Sequence, residues 1–314
     1  MYKLAKPVAL LCETSLHAGS GIDLGAVDMP IQRERHTGFP KVESSGIKGS
    51  FRQAFYQLEE VSVAGITLNK EQNRKKELAL SFGPEDGGLH AGALGFTDAR
   101  LLLFPVKSAK GVFAWITCPL VLQRFRQDLK RCNQEVELPI PPESSIPENS
   151  KLYVKDNKIV LEEYTFEIKN FAHEDCSRLA NWLSKYMLPK DENYAYLREK
   201  MLTDLVVLSD TDFSDFVNLS TEIITRTKID PKTGTVQGGA LFSEEYMPSE
   251  TLLYTLVLTT PIFNKDKGAF TPKAGRTEEQ LVMDYFVHNL PSVIQLGGNA
   301  TIGKGLIRTK AVEV

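Results

Sequence analysis

The chain has 314 residues, 42% of them hydrophobic and 25% charged, and 37 Lys+Arg against 40 Asp+Glu leave a formal net charge of −3. That is the composition of a globular protein of one large or two small domains. It excludes a mostly disordered chain, a collagen-like one, and a nucleic-acid binder that acts alone through bulk positive charge. No apolar run approaches the roughly 20 residues of a membrane-spanning helix. Met1 to Pro7 leads only into the short apolar run Val8 to Leu11 and lacks signal-peptide character, so the sequence predicts a soluble, cytoplasmic protein. Cys12, Cys118, Cys132 and Cys176 form no CxxC, and none stands at metal-ligand spacing from a histidine. They read as reduced thiols, with Cys12 and Cys118 expected to be buried.

In chain order, residues 3–14 read as a buried strand in which Pro7 marks an edge or a bulge. Residues 15–43 are rich in Gly, Ser, Asp, Pro and Arg; so long a loop in a compact domain is functional or disordered. A helix follows, capped by Ser44 or Ser45, with an apolar stripe of Ile47, Phe51, Ala54, Phe55 and Leu58. Lys48 and Arg52, at i and i+4, share a different face. Residues 59–92 are expected to be a helix-rich charged insertion ending in Gly-rich turns.

Two strands, 99–106 and 111–117, precede a helix that Pro119 opens and that runs to about Asn133. Residues 137–150, with four prolines, read as an extended linker. A hairpin turning at Asp156-Asn157, a helical stretch over 174–204, a short strand over 205–209 and another short helix come next. Residues 221–229 are strand-like, 230–234 form a tight turn, and 251–260 is a strong strand. The helix 277–290 and the strands 292–296 and 305–314 end the chain, the last two separated by a glycine loop. Neighbouring strands are mostly hairpin-linked and regular βαβ units are absent, which favours an α+β fold with an antiparallel or mixed sheet.

Three segments carry candidate chemistry. Gly298 to Lys304 fits the first seven positions of a phosphate-binding P-loop, but Gly305 replaces the Ser or Thr that would hold Mg²⁺. Only nine residues follow, too few for the helix and strands such a loop requires, so nucleotide hydrolysis is rejected. Gly297, Gly298, Gly303 and Gly305 could still bring backbone N–H groups close to a phosphate, with Lys304 adding charge; a glycine-rich bend between two strands is the plain alternative. The loop after the first strand holds His17, Asp23, Asp28, Arg33, Glu34, Arg35 and His36, enough for acid–base, metal or phosphate chemistry. No HExxH, GxSxG or Cys–His spacing fixes which. Lys48 and Arg52 lie near a helix start, where unpaired N–H groups attract anions; a solvated helix face is the alternative.

Taken together these segments resemble a known family. HAGSGIDLGAVDMPIQRERHTGFPKVESSGIKGSFRQAF (17–55), GALGFTDARLLLFPVKSAKGVFAWITCPLVLQRF (92–125), ITRTKIDPKTGTVQGGALFSEEYMPSETLLY (224–254) and IQLGGNATIGKGL (294–306) resemble, in order, four blocks of the repeated backbone subunit of type III-B CRISPR (Cmr) effector complexes, of the RAMP superfamily. The resemblance implies a modified RRM or ferredoxin-like palm in one domain over 1–314. It would carry inserted helical segments near 60–92 and 134–204 and a protruding β-hairpin thumb near 229–242.

The family implies partners as well: a CRISPR guide RNA, a complementary target RNA, further copies of the chain and other Cmr subunits, with no membrane. Contacts would fall mainly on phosphates and sugars while base pairing reads sequence. His17, Ser20, Lys48, Arg52, Gly297, Gly298, Gly303, Lys304 and Gly305 match places where the family holds RNA. Its target-cleaving aspartate matches Asp28, which would bind Mg²⁺ or another weakly held divalent cation, or accept the proton of an attacking 2′-hydroxyl. Glu244, Glu245 and Tyr246 would support that site. A guide-binding scaffold without nuclease activity, and a metal-independent RNA-processing RAMP using histidine as base, are the alternatives the sequence leaves open. The mild acidity fits a subunit that binds RNA poorly alone and strongly in a filament.

Overall fold

The computed structural model describes residues 2–22, 25–133, 137–170 and 173–313, with Gly239 and Ala240 described in their backbone alone. Asp23, and parts of the 134–204 segment, lie outside the described residues. In chain order the elements are β1 (Leu4–Cys12), β2 (Lys41–Val42), α1 (Ser44–Gln57), β3 (Glu60–Val63), β4 (Ile66–Asn69), α2 (Lys70–Gln72), a π-helical turn (Asn73–Glu77) and α3 (Leu78–Phe82). Then come β5 (Leu94–Phe96), β6 (Ala99–Lys107), β7 (Phe113–Thr117), α4 (Pro119–Arg131), β8 (Tyr153–Lys155), β9 (Lys158–Leu161), β10 (Tyr164–Glu167), α5 (Glu174–Tyr186), α6 (Ala195–Thr203) and β11 (Leu205–Val207). The chain ends with α7 (Asp210–Leu219), β12 (Glu222–Ile229), β13 (Val236–Tyr246), β14 (Leu252–Thr259), α8 (Glu278–His288), β15 (Val293–Gln295) and β16 (Leu306–Ala311).

The central sheet runs β11-β7-β6-β14-β1-β16-β15, with β2 continuing β6 and β5 pairing β14. Only β11 on β7 is parallel among these pairs, so the sheet is mixed and the fold is α+β. β1 is central, flanked by β14 and β16, not the edge strand that Pro7 predicts. The reason is local. Both backbone polar groups of a strand residue point to one side, and the Pro7 carbonyl accepts from Val312 N (2.9 Å) just where β16 ends. The missing N–H therefore falls where no ladder bond is required.

Every residue of β1 from Pro7 to Cys12 is buried, without the alternation of a half-exposed strand. Helices cover both faces. On one, α1 and α8 meet through stacked and edge-on rings, Phe55 on Phe286 (5.5 Å) and Phe51 on Phe286 (5.2 Å), and Phe51 also stacks on Phe96 of β5 (5.4 Å). On the other, Phe125 of α4 lies 4.6 Å from Tyr254, whose hydroxyl donates to the buried Asp128 (2.9 Å). The cysteines are all free, and Cys12, Cys118 and Cys176 are buried. No helix among the described residues is long and apolar enough to cross a membrane.

Three local expectations change. Residues 59–92 begin with the β3–β4 hairpin, whose Val61 and Val63 alternate inward in the period of two that a helical reading overlooks. The proline-rich stretch is no free linker: Leu138 and Ile146 are buried, and Ser145 exchanges backbone bonds with Val207 at the outer strand β11 (3.3 and 2.9 Å). The N-cap of α1 is Glu43, not Ser44 or Ser45, and its side chain makes no capping bond; the Asp98 carboxylate accepts from Ser44 N instead (2.9 Å).

Phe286→Ala should cost about 3–5 kcal/mol, because it removes the ring that α1 and α8 share. Urea unfolding measures this, and a loss below about 1 kcal/mol would contradict the packing described.

Candidate active site

The site lies at one end of the sheet, where β1 runs out and β16 and β14 begin. Leu16 and Met247 exchange backbone bonds in both directions (2.9 Å each), fastening the chain after β1 to the end of β13. The following loop closes on itself at its neck. Gln32 N donates to Ala18 O (2.7 Å), Gly19 bridges Ile31, and Ser20 donates to Pro30 O through both its amide (3.0 Å) and its hydroxyl (3.1 Å). The returning limb lies along β13: Met29 N donates to Ser243 O and Glu245 N to Met29 O, both at 3.0 Å.

Asp28 sits where this limb meets β13. Ser243 donates to Asp28 Oδ2 from its amide and its hydroxyl, both at 2.8 Å, and the hydroxyl oxygen accepts from Asp28 N (3.0 Å). The Ser243 backbone bond, then its side-chain bond, hold the exposed carboxyl below the usual carboxylate range. Among the described residues these bonds all use Oδ2.

Strand alternation sorts the neighbours of Ser243. Glu245, two residues on, is 5% exposed; it accepts from Ile31 N (3.0 Å), Thr221 Oγ1 (2.8 Å) and the Arg33 guanidinium. Arg33 also donates to Gly38 O, Val217 O and Asn218 Oδ1 (2.9, 3.0 and 3.0 Å), tying the loop to α7. Glu244 and Tyr246 serve the opposite side. Glu244 accepts from Tyr246 OH (2.6 Å) and Arg226, while Asn299 Nδ2 reaches Tyr246 OH (2.8 Å) and Glu244 (3.2 Å). Burial raises the Glu244 carboxyl, but the hydrogen bonds from Tyr246, Arg226 and Asn299 outweigh it and keep it low. Lys304 Nζ lies 4.8 Å from the centre of the Tyr246 ring.

His17 joins both sides. Its Nδ1 is 2.7 Å from Glu245 O, an acceptor only, so Nδ1 carries a proton and donates it to that carbonyl. His17 O accepts from Gly298 N (2.9 Å), and a Cβ at Gly297, at φ +74°, would stand 2.3 Å from that carbonyl. Gly305 N donates to Ser15 O (3.0 Å), and a Cβ there would stand 2.0 Å from Leu296 O. These glycines permit close backbone packing more than open phosphate cradling. The amides of Gly298, Ile302, Gly303, Lys304 and Gly305 already donate to protein carbonyls, contrary to the expectation of free N–H groups. Gly297, Gly298 and Gly303 remain exposed on the outer surface.

The structure thus brings together His17, Ser20, Asp28 and the glycine loop. Lys48 and Arg52 stand apart on α1. Lys48 is half-buried, donates to Leu94 O (3.0 Å) and has its pKa lowered by burial, while Arg52 lies 3.4 Å from Glu85. The sequence reading missed Ser243, Arg226 and Asn299. The one signal for Ser243 was its parity with Glu245 in SEEY, and that speaks only once the strand's register with the loop is known. No set of three or more His, Cys, Asp or Glu side chains among the described residues could hold a metal ion. The Asp28 carboxylate is presented at the surface, and a cation held there would draw its other ligands from water and substrate oxygens.

The model of the RAMP superfamily matches residues 9–308. The chain belongs to the RAMP superfamily. The CRISPR system Cmr endoribonuclease Cmr4 of Pyrococcus furiosus is 36% identical over 312 residues, covering 98% of this chain and 95% of that protein. The CRISPR system CMR subunit Cmr4 of Saccharolobus solfataricus is 26% identical over 327 residues, covering 98% and 97%. Among solved structures, oligomeric Cmr4 from Pyrococcus furiosus superposes with a TM-score of 0.70 at 29% identity, over 99% of each chain. Within the superfamily, this RAMP chain falls with the type III-B Cmr backbone subunits that its four sequence blocks resemble.

Gly297→Ala should lower the melting temperature clearly more than Gly303→Ala. Both need positive φ, but a Cβ at Gly303 meets nothing within 4 Å; its cost is the left-handed backbone alone, roughly 1–2 kcal/mol. Equal shifts in thermal unfolding would contradict the close packing of Gly297 on His17.

Proposed function

We propose that this chain is the repeated backbone subunit of a type III-B Cmr effector complex. Copies stack along a CRISPR guide RNA beside other Cmr subunits and cleave complementary target RNA, with Asp28 as the catalytic residue. The observation that carries this is the Asp28–Ser243 junction, in a chain that matches a named Cmr endoribonuclease over nearly its whole length. As a partner of intracellular RNA it would work in the cytoplasm.

The palm is RRM-like, or ferredoxin-like. Its support is the sheet segment β16-β1-β14-β6, with α1 between β1 and β6 and α8 between β14 and β16, the order of a split βαβ repeat. The β3–α3 and 134–204 segments are additions to it. The β12–β13 hairpin is the thumb: Ile223, Ile229, Val236 and Leu241 are all exposed on it, apolar surface suited to insertion between stacked bases. α4 covers the sheet face that an RRM offers to RNA, so RNA follows the loops at the sheet's end, along His17, Ser20, Lys304 and the outer surface of Gly297, Gly298 and Gly303, with the buried Gly305 shaping the loop beneath, and reaches Lys48 and Arg52 on α1.

Cleavage follows when the 2′-oxygen of one target nucleotide attacks the adjacent phosphorus and the bond to the 5′-oxygen breaks. This leaves a 2′,3′-cyclic phosphate and a 5′-hydroxyl. In-line geometry requires a displaced nucleotide, so positioning dominates the rate. Asp28 is ionised through neutral pH and is correspondingly a weak base, which favours a role as fixed negative charge over proton acceptor. The 2′-hydroxyl then gives its proton to solvent and the leaving 5′-oxygen takes one from it. Asp28 would be the protein ligand of a Mg²⁺ ion, whose chemistry is to neutralise charge on the phosphorane.

End-labelled complementary RNA added with Mg²⁺ to the complex rebuilt on its guide should give regularly spaced cuts. EDTA, and Asp28→Ala, should abolish them while guide and target still bind. Because the Asp28 carboxyl is depressed, its acid limb should lie below the ordinary carboxylate range, and the rate should not fall between neutral pH and that range on its account. Identical ladders from wild type and Asp28→Ala would remove Asp28 from catalysis. No ladder from either, with target loaded, would favour the scaffold reading.

A further inference from the structure

We propose that Ser243 is a positioning residue, whose hydroxyl and amide fix the Asp28 carboxylate in its working orientation and tie that orientation to the thumb strand. The proposal rests on the reading of Asp28 as the catalytic residue and adds what holds it in place. An exposed aspartate on a loop is free to change rotamer. Here two donors of one residue converge on Oδ2, both at 2.8 Å, and the same hydroxyl accepts from Asp28 N at 3.0 Å.

Any residue at 243 would supply the amide; a hydroxyl side chain closes the second ring. Among the described residues, all the side-chain hydrogen bonds of Ser243 go to Asp28. The backbone locks the pair further, with Met29 bonded to both Ser243 and Glu245. Oδ2 is thereby committed and Oδ1 is aimed by default, which is the arrangement a single carboxylate needs to present one oxygen to a substrate or its counter-ion. Beyond Ser243, β13 continues into the exposed thumb, so a tilt of that hairpin on the RNA is transmitted to the carboxylate through this ring.

A mere fastener of the loop would affect assembly and stability. A positioning residue affects the chemical step at unchanged target binding. The polar and charged side chains around this corner are His17 and Arg33 of the loop, Glu244 and Glu245 of β13, Arg226 of β12 and Lys304 of the glycine loop. Substitution at 243 leaves all of them in place.

The test is single-turnover cleavage of end-labelled complementary RNA by the assembled complex, with target affinity measured separately. Ser243→Ala should slow cleavage roughly 10- to 100-fold, the scale of a misplaced catalytic group, at unchanged target affinity. Ser243→Thr, which keeps the hydroxyl, should restore the rate. If Ser243→Ala complexes do not assemble, Ser243→Cys takes their place, with an expected rate between wild type and Asp28→Ala. A wild-type rate in the variant that assembles, while Asp28→Ala is silent, would overturn the proposal. Wild-type cutting by Asp28→Ala would instead overturn the underlying assignment, so the two failures are distinguishable.

Discussion

The backbone pairing of Met29 with the base of β13 is the constraint on which the rest of the site depends. Two bonds of 3.0 Å set a loop against a strand in parallel register, and the register decides every side-chain meeting that follows. Shifted by one residue, the same loop would face Glu244 in place of Ser243, two carboxylates would oppose each other, and Asp28 would lose both of its donors. The loop neck, through Ser20, Pro30, Gly19 and Ile31, and the pair of buried Glu245 with half-buried Arg33 make that slip costly. Removing Arg33 would leave the buried Glu245 carboxylate without its charged partner.

The strand does two jobs because its side chains alternate. Ser243 and Glu245 hold the Asp28 loop; Glu244 and Tyr246 hold the glycine loop through Asn299 and carry Arg226 and Lys304 beside them. Three segments distant in sequence therefore share the base of one strand. The net charge of −3 comes from 40 acidic against 37 basic residues, and near this strand Arg226, Arg33 and Lys304 stand beside Glu244, Glu245 and Tyr246.

The elements legible in the sequence were those whose signal is local. β1 and β14 announce themselves as apolar runs, and α8 by the amphipathic stripe of Leu281, Val282, Tyr285 and Phe286; the structure adds a capping box of Thr277 and Gln280. Asp156-Asn157 turns its hairpin with both residues at positive φ, as short Asx turns do. The β3–β4 hairpin was hidden by its brevity and by the charged residues that follow it, since Val61 and Val63 are its only buried positions. Pro7 misled because its penalty depends on where a neighbouring strand stops. Asp28 could be singled out only by resemblance, for an aspartate in a polar loop has no local mark of catalysis. Ser243 had none either: its role depends on a contact across 215 residues of chain. The glycine loop was recognisable as a loop that needs glycine, but its composition cannot tell amides turned toward a ligand from amides turned toward Ser15 and His17.

The central claim is that cutting happens at this corner of the sheet, on a carboxylate held by the thumb strand. It is tested most directly by a structure of the complex loaded with guide RNA and a target carrying a 2′-deoxy nucleotide at the cleavage position, which cannot supply the attacking oxygen. The account predicts the scissile phosphate beside Asp28, directly or through one cation, with the Ser243 bonds intact. A scissile phosphate out of reach of that carboxylate, on α4 or along the outer hairpin, would contradict it.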